Sequence, residues 1–171
     1  MTRDETKEIL EETTVSAPEP SFDHKVIAID RISRTVAGGR RIRFRAMVVV
    51  GNLSGKVGVA TAKANDVQGA IAKATNAAMK TVIVVPLTND TIPHQVSYTF
   101  GTTAVLLKPA PKGHSIIAGG AVRPVLELAG VKNIVSKALG SSNTLNSAMA
   151  TYHALKILKA RNTFVTQRGK S

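Results

Sequence analysis

A chain of 171 residues with 43% apolar and 4% aromatic residues can bury a core, and that core must be aliphatic, built from Val, Ile, Leu and Ala. Having no Cys excludes disulfides, thiol nucleophiles and Cys-ligated zinc, and His24, His94, His114 and His153 lack metal-ligand spacing. The net charge is +12 and very unevenly spread.

Residues 1–23 hold two basic and seven acidic side chains, a net of −5, whereas residues 24–171 hold 21 basic and four acidic ones, a net of +17. Those four acids are Asp30, Asp66, Asp90 and Glu127. A body this cationic repels itself unless a polyanion lies against it, so nucleic acid is the expected partner. A membrane surface fits less well, because no basic amphipathic helix carries bulky apolar anchors. The longest aliphatic run, Val82 to Val85, is far too short to cross a bilayer, and the acidic start does not resemble a signal peptide. A cytoplasmic location is the default expectation.

In chain order, the Glu/Thr-rich residues 1–23 end in Ala17-Pro18-Glu19-Pro20 and predict a disordered acidic tail. Lys25 to Val36 predicts a first strand with a bulge or bend between Ile29 and Ile32. Gly38-Gly39 predicts a hairpin turn, and Arg40 to Val50 a second strand. Its alternation places Ile42, Phe44, Ala46, Val48 and Val50 on one face, and Arg41, Arg43 and Arg45 on the other. Gly51 to Gly55 predicts a turn, and Lys56 to Ala62 a third strand. Asp66 is an N-cap residue, and Val67, Ala70, Ile71, Ala74 and Ala78 recur at helical spacing, predicting a helix over Val67 to Lys80. Val82 to Val85 is a short buried strand or linker.

A second unit begins after the turn at Pro86 to Asp90. Gln95 to Phe100 and Thr102 to Leu107 predict strands, Pro109 to Gly120 a loop, and Ala121 to Ala129 a short helix stopped by Gly130. Asn133 to Leu139 predicts a strand and Thr144 to Ala160 a last helix, with Leu145, Ala148, Met149, Tyr152 and Leu155 inward. Residues 161–171 predict a basic tail that touches RNA. The expected fold class is α+β in two modules: a three-strand, one-helix unit over 24–87 and an α/β two-layer unit over 88–160.

Three arginines in register, about 7 Å apart by strand geometry, form the main candidate site. Guanidinium forks match phosphate oxygens, and the lined-up charges favour an anion laid across them. One or two such residues would be an ordinary solvated strand face; three with Arg40 beside them favour an RNA or DNA backbone. The RNA-binding candidates are Arg31, Arg34, Gly38, Gly39, Arg40, Arg41, Arg43, Arg45, Lys56, Lys63 and Lys73.

Two glycine-rich loops are candidate nucleotide sites. Gly51-Asn52-Leu53-Ser54-Gly55-Lys56-Val57 is one residue short of a Walker A loop, has Val57 in place of Ser or Thr, and lies between strands. It is rejected. The loop from Pro109 to Ala121 feeds a helix N-terminus and faintly resembles the phosphate loop of small-metabolite kinases, but such a kinase needs carboxylates for Mg²⁺ and only Glu127 is near. Gly119, Gly120 and Arg123 fit an RNA or protein contact, or a plain tight turn, equally well. No nucleophile-elbow motif is present. No catalytic residue, metal, cofactor or small-molecule substrate is expected.

The run Gly39-Arg40, Phe44, Ala46, Val49 to Asn52, Gly55, Val57-Gly58, Ala60, Asp66-Val67 and Ala70-Ile71 closely resembles the bacterial small-subunit ribosomal protein five family. Ile116 to Arg123, Val125 to Glu127 and Ala129 to Val131 resemble that family's second module. The resemblance implies a first domain related to double-stranded-RNA-binding folds and a second with the fold those kinases share. It further implies a structural constituent of the small ribosomal subunit that binds ribosomal RNA, touches ribosomal proteins four and eight, and affects head/body conformation and decoding accuracy near the messenger entry. Its Gly-Gly loop would reach RNA near the spectinomycin site. The chain departs from the family at Ala37, where Lys is usual, and at Ala60 and Ala62, where Gly is usual. A free-standing structured-RNA-binding regulator is the alternative, and a small-metabolite kinase a remote one.

Overall fold

The computed structural model describes residues 22–159, so the segment 1–21 and the tail from 160 onward lie outside the described residues. Among the described residues, eight strands and three helices follow one another: β1 (Asp23–Val36), β2 (Gly39–Gly51), β3 (Lys56–Ala64), α1 (Val67–Lys80), β4 (Ile83–Val84), β5 (Val96–Phe100), β6 (Thr103–Pro109), β7 (Ile116–Ile117), α2 (Val122–Leu128), β8 (Ile134–Gly140) and α3 (Thr144–Ile157). They form two four-stranded sheets, ordered β1-β2-β3-β4 and β5-β6-β8-β7. The mixed α+β class is as the sequence predicts.

The first sheet is antiparallel throughout. Its irregularity falls between Val26 and Ala28, not between Ile29 and Ile32 as the broken alternation suggested. Ile27 is the extra residue there, and it packs into the larger core. Helix α1 begins where Asp66 caps it, its carboxylate accepting from the Gly69 amide at 2.6 Å. Ala70, Ala74 and Ala78 are fully buried against the sheet. The small side chains bring helix and sheet so close that a Cβ at Gly58 would stand 2.2 Å from the Ala78 carbonyl oxygen. β4 is a minimal fourth strand whose Val84 is 74% exposed, so the expected buried segment is only half buried.

In the second sheet β5, β6 and β8 are antiparallel, while β7 joins β8 in parallel across α2. The loop expected over Pro109 to Gly120 thus contains a short strand. Gly130 (φ +83) ends α2 as expected. Asn143 caps α3, accepting from Leu145 at 3.0 Å. Helix α3 is buried almost all round, including Ser147 and Thr151, whose hydroxyls bond back to carbonyls four residues earlier.

Residues 46–50 of β2 are all buried because both faces of the strand are covered. Val48 and Val50 pack on α1, whereas Met47 and Val49 enter the larger core with Leu107, Leu126 and Leu155 of the second module. The β2–β3 turn, Gly51 to Gly55 within the Walker A look-alike, docks on the second unit at the end of α2. Leu53 and Gly55 amides donate to the Leu128 and Ala129 carbonyls at 3.1 and 3.0 Å, and Asn52 Oδ1 accepts from the Ser54 and Lys56 amides, each at 3.0 Å.

Candidate nucleic-acid interface

Among the described residues, no helix covers the arginine side of the sheet from residue 45 towards the hairpin tip. The β1–β2 register pairs Arg34 with Arg41, Ile32 with Arg43 and Asp30 with Arg45, and β3 brings Lys63 opposite Arg45. Directly opposed residues share a face, so Arg34, Arg41, Arg43 and Lys63 project together. A groove of about 250 Å³ is lined by Ile32, Arg34, Val36, Arg41, Arg43 and Lys63. A second groove of about 270 Å³ continues it round the β3–α1 turn, sharing Arg43 and Lys63 and adding Ala64, Asn65, Asp66 and Lys73. Among the described residues, Arg34, Arg41, Arg43, Lys63 and Lys73 belong to none of the ion pairs, which are Lys25–Glu127, Arg45–Asp30, Arg123–Glu127 and Lys132–Asp90.

Arg45 differs from its two neighbours. Its Nη2 and Nε donate to Asp30 Oδ2 at 2.7 and 3.1 Å, so its charge is largely answered inside the hairpin. The carboxylate sits on the partner strand at the one position directly across, a cross-strand pair that sets the inner limit of the cationic face. Ile42 also departs from expectation. It stays 41% exposed, because α1 does not extend to the tip and leaves the outer half of the apolar face uncovered.

The turn itself consists of Ala37 and Gly38, with Gly39 already paired to Val36. Gly38 and Gly39 have φ of +95 and +143, which bulkier residues adopt only under strain, and a Cβ at either would meet nothing within 4 Å. The tip makes backbone demands, and among the described residues nothing stands against either glycine.

The other sequence-derived candidates are scattered. Arg31 and Arg40 lie opposite Phe44 and Thr35, on the α1 side of the hairpin rather than in the groove. Lys56 is at the far end of β3, about 23 Å of strand from Lys63. Gly119 and Gly120 line a separate groove of about 340 Å³ with Ile27, Ala138, Thr144 and Ser147, and among the described residues no cation lines it. Arg123 Nε donates to Glu127 Oε1 at 3.1 Å, and Lys25 Nζ holds Glu127 Oε2 at 3.1 Å. The carboxylate that a kinase would need for Mg²⁺ is therefore tied between two cations. Sequence reasoning missed Ile32 and Val36 as groove lining and Asp30 as the partner of Arg45.

The described residues thus join a sheet with a cationic outer half to a second α/β layer through one shared core. Two family models match the chain: ribosomal protein S5, N-terminal domain, over residues 22–86, and ribosomal protein S5, C-terminal domain, over residues 98–168. The chain belongs to the ribosomal protein S5 family. It is a ribosomal protein of the small subunit, a structural and non-enzymatic constituent of a ribonucleoprotein that works in translation.

Proposed function

We propose that the groove formed by Arg34, Arg41, Arg43 and Lys63, extended by Lys73, grips the phosphate backbone of small-subunit ribosomal RNA, while the Gly38-Gly39 tip enters a crevice too narrow for side chains. The observation that carries this is the convergence of four cations on one groove whose lining holds no carboxylate. Two hydrocarbon residues, Ile32 and Val36, floor it, which favours the sugar-phosphate edge of a helix over a small polar ligand. On this reading the first unit, 24–87, is a double-stranded-RNA-binding-like domain. The second, 88–160, is a domain that turns its Gly119, Gly120 and Arg123 surface to neighbouring RNA or protein, with ribosomal proteins four and eight as neighbours. The basic end, 161–171, adds a further RNA contact. The protein would thereby influence head/body conformation and translational accuracy in the cytoplasmic ribosome.

Salt dependence tests the reading. Binding through phosphates releases counterions, so log affinity should fall linearly with log salt. Changing Arg34, Arg41 and Arg43 to Ala in the full chain should flatten that slope by about two to three units. The same variant should co-sediment poorly with small subunits. An unchanged slope would move the RNA site off this face, and RNA binding without co-sedimentation would favour a free-standing regulator.

A further inference from the structure

We infer that the outer face of the second sheet, where Lys108 and Lys137 flank Ala104, Leu106, Val135, Leu139 and Ile117, docks another protein of the small subunit, one that presents apolar side chains and carboxylates together. Alternation along the strands sends Val105, Leu107 and Ile134 into the core with α2 and α3, where they are fully buried. Their neighbours along each strand point the other way. The register sets Ala104 beside Leu139, Leu106 beside Lys137 and Lys108 beside Val135, with Ile117 of β7 on the far side of Val135. The apolar positions therefore adjoin one another on three neighbouring strands. Among the described residues no helix lies over them, since α2 and α3 pack on the core side. Leu139 and Ile117 stay 49% and 54% exposed.

The chemistry of the face selects the partner. Grouped hydrocarbon with charge at its margin is the pattern of a protein interface, an apolar centre inside a polar rim. A phosphate backbone fits poorly, because five hydrocarbon side chains offer it no hydrogen bond. The groove on the first sheet is the reverse case, with four cations and two hydrocarbon residues. The carboxylates follow from the two lysines. Lys108 and Lys137 are diagonal neighbours across β6 and β8, about 7 Å apart, and neither belongs to an ion pair among the described residues. No strand from β5 to β8 carries an acidic residue. Two like charges this close favour an anionic counterpart from outside, which would also fix the partner's orientation. A second copy of the chain would bring two more lysines to the same place. The sequence beyond residue 159, with Arg161, Arg168 and Lys170 and no carboxylate, offers neither lysine a counterpart. Because α2 packs on the opposite side of the sheet, this face is separate from the surface that carries Arg123.

Lysine chemistry on purified small subunits and on the free full chain decides it. Reductive methylation should modify Lys108 and Lys137 readily in the free chain and about tenfold more slowly in the subunit, because a packed interface excludes water and reagent. Carbodiimide coupling of the same subunits, mapped by mass spectrometry, should join Lys108 or Lys137 to a carboxylate of another protein. Equal reactivity in the two states would overturn the inference. So would slow methylation in the free chain, coupling to this chain's own carboxylates, or protection without any link to another protein. An Ile117→Ser/Leu139→Ser variant supplies a second readout. Both side chains are exposed, so its melting temperature should stay close to that of the native chain. In competition with the native chain it should enter small subunits about tenfold less well, yet bind a short hairpin RNA as tightly. Undiminished incorporation would leave the face to solvent, and a matching loss of RNA affinity would give it to RNA; either result ends the proposal. Neither bears on the Arg34/Arg41/Arg43 groove, which its own salt dependence tests.

Discussion

The Tyr152 hydroxyl, on α3 of the second module, donates to the Thr81 carbonyl oxygen at 2.8 Å, where α1 of the first module ends. This bond spans 71 residues of sequence and satisfies a helix-end carbonyl at the seam between the modules. Tyr152→Phe should lower unfolding free energy by about 1 kcal/mol, the usual worth of such a bond, without changing the fold. Burial also raises the phenol above its ordinary value near 10.0. The fold thus favours the neutral ring. That contribution is complete below the ordinary value and is lost as pH climbs through the raised one. Urea midpoints taken at increasing alkaline pH should fall more steeply for the native chain than for Tyr152→Phe, and parallel curves would contradict the assignment.

The glycines where the β2–β3 turn meets the end of α2, Gly51 and Gly130, should prove far less tolerant than those of the tip. A Cβ at Gly51 would stand 2.2 Å from the Leu128 carbonyl oxygen, and one at Gly130 equally close to the Leu53 carbonyl oxygen. Both obstacles are backbone and no rotamer relieves them. Gly51→Ala or Gly130→Ala should cost on the order of 3 kcal/mol and loosen the contact between modules. Gly38→Ala meets open space and should cost only about 1 kcal/mol, for its positive φ. Thermal melts of the three variants test this order, and equal losses would refute it.

Gly39→Val places a wide, branched side chain at the exposed tip. The folded fraction at assay temperature should stay high, because the tip carries none of the core. RNA affinity, or incorporation into small subunits, should drop markedly. Ala37→Lys should tighten RNA binding modestly by one added phosphate contact. If Gly39→Val lowered folding and binding equally and Ala37→Lys gained nothing, the tip would be a turn alone.

Asp30→Asn should release Arg45. The pair is half exposed, so stability should change by no more than about 1 kcal/mol. With one more free guanidinium on the groove face, RNA affinity should rise a few-fold at low salt and the salt slope should steepen by nearly one unit. A fall in affinity would mean that the pair's rigidity matters more than its charge.

Much of this molecule is legible from local pattern. Asp66 and the alanine spacing define α1 to the residue, Val67 to Lys80, since capping and helical periodicity are local effects. Alternation along β2 places Arg41 and Arg43 on one face without any tertiary information. Even the Arg45–Asp30 pair follows once the turn is closed, because Val36 opposite Gly39 forces Arg34 opposite Arg41 and Asp30 opposite Arg45. The bulge at Ile27 is not legible locally, because Ile27, Ile29 and Ile32 look alike in sequence and the second module's core draws Ile27 inward.

Composition, periodicity and caps by themselves determined an aliphatic α+β protein with a cationic strand face, since charge count, strand period and N-cap chemistry depend on neighbours along the chain. Only the tertiary structure decided how far that face extends. Its inner edge lies where Met47 and Val49 are claimed by residues of the second module, such as Leu107, Leu126 and Leu155, far along the chain. Its outer neighbours Lys63 and Lys73 join because β3 and α1 fold back beside the hairpin. Long-range burial of apolar surface sets those placements, and no local pattern encodes which distant face will cover which.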